Sequence, residues 1–201
     1  RWESEAADQV FLRQSLGNQK WEELTWSEVS SRVRRLASFI RDYADQSGIP
    51  SGSNLSIWST NTIDWILADL AIALSGHVNV PLYPTQDLDS ARYVLSHAEV
   101  KLVLIGATAA GDHALDVLPE DATAVALRGC QSRLAKACAY QLPKILDEFE
   151  PFADSPVAGP RDLFTIMYSS GTTGHPKGVM IHQSCPAMTA RIFARWISPT
   201  E

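Results

Sequence analysis

The chain has 201 residues, 45% apolar and 20% charged, with a net charge of −6 and no basic run longer than the pair Arg34–Arg35. At this length about 70% of the unfolded surface can be buried, so the composition describes a packed globular chain. A nucleic-acid partner is not expected, because such binders displace phosphate counterions with a basic stripe. The most apolar stretch, Ile63 to Gly76, is broken by Asp64 and Asp69. It falls short of the roughly 20 apolar residues that cross a bilayer, so no transmembrane segment is expected. The opening residues show no basic n-region leading into an apolar run, so no signal peptide is expected either. Cys130, Cys138 and Cys185 form neither an even set nor a Cys-x-x-Cys pair, and read as free thiols in a reducing cytoplasm. The five histidines (77, 97, 113, 175 and 182) lack metal-ligand spacing and read as surface or packing residues.

A short strand is expected at Val10 to Arg13, followed by a Gly17-Asn18 turn. Thr25-Trp-Ser-Glu28 has the pattern of a capping box, in which hydroxyl and carboxylate satisfy backbone donors at a helix start. Behind it Val29, Val33, Leu36, Ala37 and Ile40 recur at helical spacing as one buried stripe up to about Tyr43. Gly48-Ile-Pro-Ser-Gly52 breaks the chain. Strands are then expected at Leu55 to Trp58, Val78 to Leu82, Leu102 to Ile105 and Ala122 to Leu127. Helices are expected between them at Ile63 to Leu74, Asp87 to His97 and Ala107 to Leu118. Alternation of this kind favours a mostly parallel sheet flanked by helices, an α/β fold. Arg128 to Tyr140 is too weakly patterned to assign. The expected organisation is an α/β subdomain over 1–150, a connector over 151–162, and over 163–201 a strand, a loop, a second strand and a helix from about Ser184 to Trp196.

The loop is Ser169-Ser-Gly-Thr-Thr-Gly-His-Pro-Lys-Gly178, set between the strand Leu163 to Tyr168 and Val179-Met-Ile181. Three glycines allow close approach of backbone amides to an anion, and consecutive amides can form an anion-binding concavity. Four hydroxyls add donors, and Lys177 adds a point charge suited to phosphate. The spacing is not that of the P-loop, because Lys177 follows Pro176 and precedes Gly178. The bland alternative is a Gly/Thr turn in a β-hairpin; the ordering of all ten residues favours a polyphosphate cradle.

Tyr168-Ser-Ser-Gly-Thr-Thr-Gly-His-Pro-Lys-Gly-Val179 resembles the signature of the adenylate-forming superfamily, which includes acyl-CoA synthetases, luciferases and peptide-synthetase adenylation domains. Leu24-Thr-Trp-Ser-Glu28 resembles the superfamily's early helix start. Ser59-Thr-Asn-Thr-Ile-Asp-Trp65 is similar to its S-x-N-x-x-E-W segment, with Asp64 in place of Glu. Val80-Pro-Leu-Tyr-Pro-Thr85 looks like the version in long-chain fatty acyl-CoA synthetases. The likeness runs from about Val10 to Ile181 and is weakest over Arg128 to Pro160.

The resemblance implies the N-terminal part of the acyl-CoA synthetase-like fold and two half-reactions. A carboxylate attacks the α-phosphate of Mg-ATP, giving an acyl-adenylate and pyrophosphate, and the coenzyme A thiol then displaces AMP to form a thioester. It implies ATP, Mg²⁺ and coenzyme A as cofactors and a fatty acid as substrate. Ser169, Ser170, Gly171, Thr172, Thr173, Gly174 and Lys177 would hold the ATP phosphates, with Thr172 or Thr173 near Mg²⁺. Trp58, Trp65 and Tyr83 are expected to pack in the core, and His182 to make a local hydrogen bond at a helix start. The adenine and ribose motifs, the acidic magnesium ligand, the acyl tunnel and the C-terminal domain with its catalytic lysine lie downstream in such proteins, so these 201 residues alone are expected to be inactive. Peripheral membrane association and oligomeric state are left open. So are another acid-activating ligase or adenylation domain, a non-catalytic nucleotide-binding module, and an interaction domain whose loop is only a turn.

Overall fold

The computed structural model describes residues 2–169 and 174–196. A short helix α1 (Trp2–Glu5) precedes the strands β1 (Val10–Gly17) and β2 (Lys20–Thr25), which pair antiparallel as a separate two-stranded sheet. Asn18 and Gln19 turn the hairpin with φ of 48° and 60°, the two successive left-handed residues a tight hairpin turn needs. Only the first of these strands was expected. Most of β2 is exposed or half-exposed, so it carries little of the apolar pattern that marks a strand.

Helix α2 (Trp26–Gln46) starts on the expected capping box. Glu28 N donates to Thr25 Oγ1 at 3.3 Å, and Thr25 N donates to Glu28 Oε2 at 2.8 Å. A cap of this kind contributes about 1 kcal/mol. Val29, Val33, Leu36, Ala37 and Ile40 are all buried, as their spacing requires.

Among the described residues the main sheet has seven strands in the order β7-β6-β5-β3-β4-β8-β9. In chain order these are β3 (Asn54–Trp58), β4 (Val78–Asn79), β5 (Leu102–Ile105), β6 (Thr123–Ala126), β7 (Tyr140–Gln141), β8 (Leu163–Ser169) and β9 (Lys177–His182). All pairs are parallel except β8–β9. Although β4 itself is short, Val80 N and Leu82 N still donate to Leu55 O and Ile57 O, so the extended path reaches Leu82 as expected. The further α-helices among the described residues are α3 (Ile63–Leu74), α4 (Leu88–His97), α5 (Ser132–Ala137), α6 (Leu142–Glu148) and α7 (Ser184–Trp196). No helix among the described residues is long and apolar enough to cross a membrane.

Residues alternate along each central strand between two cores. Leu55, Ile57, Leu102, Leu104, Val125 and Leu127 pack with α2, α3 and α6 on one face. Trp58, Val103, Ile105, Ala124 and Ala126 pack with α4 and α5 on the other. This is the period of two that a sheet covered on both faces requires.

Two segments differ from expectation. Ala107 to Leu118 is not an α-helix; Gly111–Val117 forms a 3₁₀ helix that buries Gly111, Ala114 and Val117. That i, i+3 spacing matches three residues per turn rather than 3.6. In the unassigned stretch Arg128 to Tyr140, α5 buries only Leu134, too little for a periodic signal.

Asp64, in the first turn of α3, is 1% exposed. Its carboxylate accepts from Arg128 Nε at 2.9 and 3.0 Å, from Arg128 Nη2, and from Arg128 backbone N at 3.0 Å. Arg128 Nη1 also donates to Glu22 Oε1 at 2.7 Å. These bonds raise the guanidinium pKa further above its ordinary value, against the opposing effect of burial. One network therefore joins β2, α3 and the segment after β6. Removing one partner of a buried pair strands the other charge, at a cost of 3–5 kcal/mol where both are enclosed. Because the Arg128 side chain is 42% exposed, Asp64→Ala is expected to cost about 3 kcal/mol, the low end of that range. Glu22→Gln is expected to cost under about 1 kcal/mol. Urea unfolding midpoints of the two variants check both.

Candidate functional site

The order of the main sheet reverses beside β3: the chain runs from β3 to β4 on one side, then returns across β3 to β5. In open α/β sheets, ligands bind outside the carboxyl ends of the strands at such a switch point. A crevice of about 290 Å³ lies there, lined among others by Ser59, Asn61, Trp65, Asp69, Tyr83 and Tyr168. Side chains brace its walls. Ser56 Oγ donates to Val80 O at 2.7 Å, Trp58 Nε1 to Tyr83 O at 3.1 Å, and Thr165 Oγ1 to Asn79 O at 2.8 Å. Trp58 is fully buried as expected. Trp65 is half-buried against the core, as expected, and also lines the crevice, whereas Tyr83 lines the crevice at 59% exposure and is not a core residue. Val80 and Leu82 take the inward positions of that segment, which turns Tyr83 outward.

The β8–β9 hairpin carries the glycine-rich loop at the rim of this crevice. Its register pairs Tyr168 with Gly178 and Ser169 with Lys177. Thus the first and last candidate phosphate-binding residues face each other across the loop's mouth, and both are exposed. Gly174 has φ of 128°, a conformation that side chains rarely adopt. Gly178 is required for space: a Cβ there would lie 2.9 Å from Ile166 Cγ2 and 3.1 Å from the Tyr168 ring. The candidate residues Ser170, Gly171, Thr172 and Thr173 lie outside the described residues. His182 closes β9 rather than starting a helix, and in place of a local bond its Nδ1 meets Arg161 O at 2.7 Å, 21 positions away.

Several polar groups at the site carry no sequence signal. His97 Nδ1 hydrogen-bonds the Tyr168 hydroxyl at 2.7 Å. Tyr93 stacks on both His97 and His175. Burial pushes the Tyr168 phenol up, and Tyr93 adds to the shift. Asn79 Nδ2 donates to Asp69 Oδ1 at 2.7 Å.

The sequence pattern of the AMP-binding enzyme family matches residues 1–199. The chain belongs to that family. Fatty acyl-CoA synthetase A of Dictyostelium discoideum is 28% identical over 177 residues, covering 82% of this chain and 25% of that protein. Long chain acyl-CoA synthetase 4 of Arabidopsis thaliana is 30% identical over 177 residues, with coverage of 82% and 25%. The chain thus spans about a quarter of the length of these curated relatives. The crystal structure of apo MatB from Rhodopseudomonas palustris shares the fold with a TM-score of 0.70 at 20% identity, covering 87% of this chain and 32% of that one. The mostly parallel α/β architecture of this AMP-binding family member is therefore that of its solved neighbours.

Asp69 gives the crevice a titration test. Burial pushes its carboxyl above the ordinary 3.8, and the Asn79 amide opposes the shift. The folded protein therefore holds this proton more tightly than the unfolded chain. The associated stability is present below the ordinary carboxylate pKa and is lost as pH rises through the raised value. Asp69→Asn removes that loss. The variant's unfolding midpoint is expected to exceed the wild-type value near about pH 7, with the gap narrowing toward about pH 4; urea titrations across that range check it.

Proposed function

We propose that this chain supplies the N-terminal α/β region and phosphate loop of an ATP-dependent long-chain fatty acid–CoA ligase. The observation that carries the reading is the hairpin mouth, where Ser169 and Lys177 sit in register at the two ends of the glycine- and threonine-rich loop. The names of the curated relatives support the acid and thiol substrates, and the Pro-Leu-Tyr-Pro-Thr segment at the crevice supports the same branch.

In this reading the loop grips the ATP phosphates through Ser169, Ser170, Gly171, Thr172, Thr173, Gly174 and Lys177. The difficulty of the first step is that carboxylate and triphosphate are both anions. An exposed ammonium opposite a hydroxyl, with backbone free to turn its amides inward at Gly174, suits a polyanion. Holding the β- and γ-phosphates fixes the α-phosphate for in-line attack, so positioning and charge neutralisation do the catalytic work. Mg²⁺, carried on the phosphates, would add to that neutralisation, with Thr172 or Thr173 as the hydroxyl near it. The acyl-adenylate then yields its acyl group to the coenzyme A thiol, and AMP leaves.

Carboxylate-dependent ATP–pyrophosphate exchange, with acids from acetate to oleate, tests this on the intact protein. Exchange is expected to favour long chains, and Lys177→Ala to lower it by about 100-fold. Preference for an aromatic or short acid would remove the fatty-acid assignment. Absence of exchange in folded protein that binds ATP would leave a nucleotide-binding module. The 201 residues by themselves are expected to form no thioester from fatty acid, ATP and coenzyme A; a product found by mass spectrometry would contradict that.

A further inference from the structure

Helix α4 touches the phosphate loop's flanks at two points. Tyr93 and His97 lie four residues apart, one turn of helix, and so share a face; their rings stack with centroids 5.3 Å apart at 26°. On the incoming side, His97 hydrogen-bonds the hydroxyl of Tyr168, the residue before Ser169, at 2.7 Å. The two rings meet edge to face at 5.8 Å and 85°. On the outgoing side, the Tyr93 ring stacks on His175 with centroids 4.5 Å apart at 15°. Pro176 alone separates His175 from Lys177, and its ring restricts the backbone torsion between them. Fixing His175 therefore constrains where the lysine emerges.

The Tyr168 ring is held from a third direction, because it lies across Gly178 so closely that a Cβ there would meet it at 3.1 Å. Both feet of the loop thus rest on one helix. Neither Tyr93 nor His97 lies in the loop, and neither belongs to the signature.

We propose that Tyr93 and His97 are positioning residues that brace the phosphate loop from α4, holding Tyr168 and His175 so that Ser169 and Lys177 are set for the nucleotide. The proposal rests on the phosphate-binding reading of the loop. Bracing lowers the ordering that nucleotide binding must otherwise supply, so its loss appears as weaker nucleotide affinity.

The test measures ATP KM in the exchange reaction and ATP Kd by equilibrium binding, using the intact protein. The variants are Tyr93→Leu, Tyr93→Phe, His175→Ala and the double variant Tyr93→Leu/His175→Ala. Tyr93→Leu and His175→Ala are each expected to raise ATP KM and Kd by about 2- to 10-fold, the range of an aromatic pair, with the KM of the acid unchanged. The double variant should be no worse than the more affected single, because both remove the same stack. Tyr93→Phe keeps the ring and should restore wild-type values. A full additive loss in the double variant overturns the brace. So does an equal rise in the acid's KM, which would signal general loosening. Should Tyr93→Leu fail to fold, exposed His175→Ala set against His175→Phe, which keeps a stackable plane, gives the same reading. Lys177→Ala run beside them separates the two levels. If it abolishes ATP binding while Tyr93→Leu and His175→Ala change nothing, the brace alone is wrong. If Lys177→Ala changes nothing, the phosphate-loop reading falls and the brace with it.

Discussion

The central strands β3, β5 and β6 carry apolar side chains on both faces, and neither face can be left in water. Each face needs a helical cover, so the chain must pass first over one side and then over the other. It does so with α3 on one face and α4 on the other, and the sheet order turns back beside β3 as a result. The crevice follows from that reversal, because successive connections leave the strand ends in opposite directions there. Fully enclosing a residue such as Ile57 or Leu104 contributes about 1.5–3 kcal/mol. The position of the site is thus fixed by the same burial that stabilises the fold.

Polar contacts then set the details that burial leaves loose. Asp64 sits where the S-x-N-x-x-E-W segment has its acidic residue, yet its carboxylate faces inward to Arg128 rather than into the crevice. The resemblance in that segment therefore marks a structural tie in this chain, joining the β1–β2 hairpin to the sheet through Glu22. Trp65, one residue on, lines the crevice. A single helical turn thus serves the fold with one side chain and the site with its neighbour.

What could be read in the sequence tracks how periodic each burial is. Helix α2 buries a full stripe behind a capping box, and both features were plain in the residues. The four strands expected between Gly52 and Arg128 were legible because each is enclosed. Strand β2, mostly solvent-facing, had no such pattern. The 3₁₀ segment reads as an α-helix in sequence because three buried positions do not separate a period of 3.0 from 3.6. The loop was legible as a distinct segment by composition alone, since its run of glycines, hydroxyls and one lysine follows no helix or strand period. Its supports were not. Tyr93 and His97 look like ordinary residues of an amphipathic helix, and His175 like an arbitrary loop position. Only the fold brings Tyr93 to His175, 82 positions further along the chain.

The pairing of β8 with β4 has a bearing on how the protein is made. Thr165 donates to Asn79 O, 86 positions earlier in the chain, so β4 waits as an open edge until β8 emerges. At ribosomal speeds of about 5–20 residues per second, that interval lasts roughly 4–17 s. During it β3, β5 and β6 can assemble with their helices, while the unpaired side of β4 is open to the wrong partner. The strand is only two residues long as a regular element, and Pro81 and Pro84 follow within five residues. Brevity and proline both blunt an edge against misassociation. The loop-bearing hairpin therefore joins a sheet whose strands β3, β5 and β6 emerge before it.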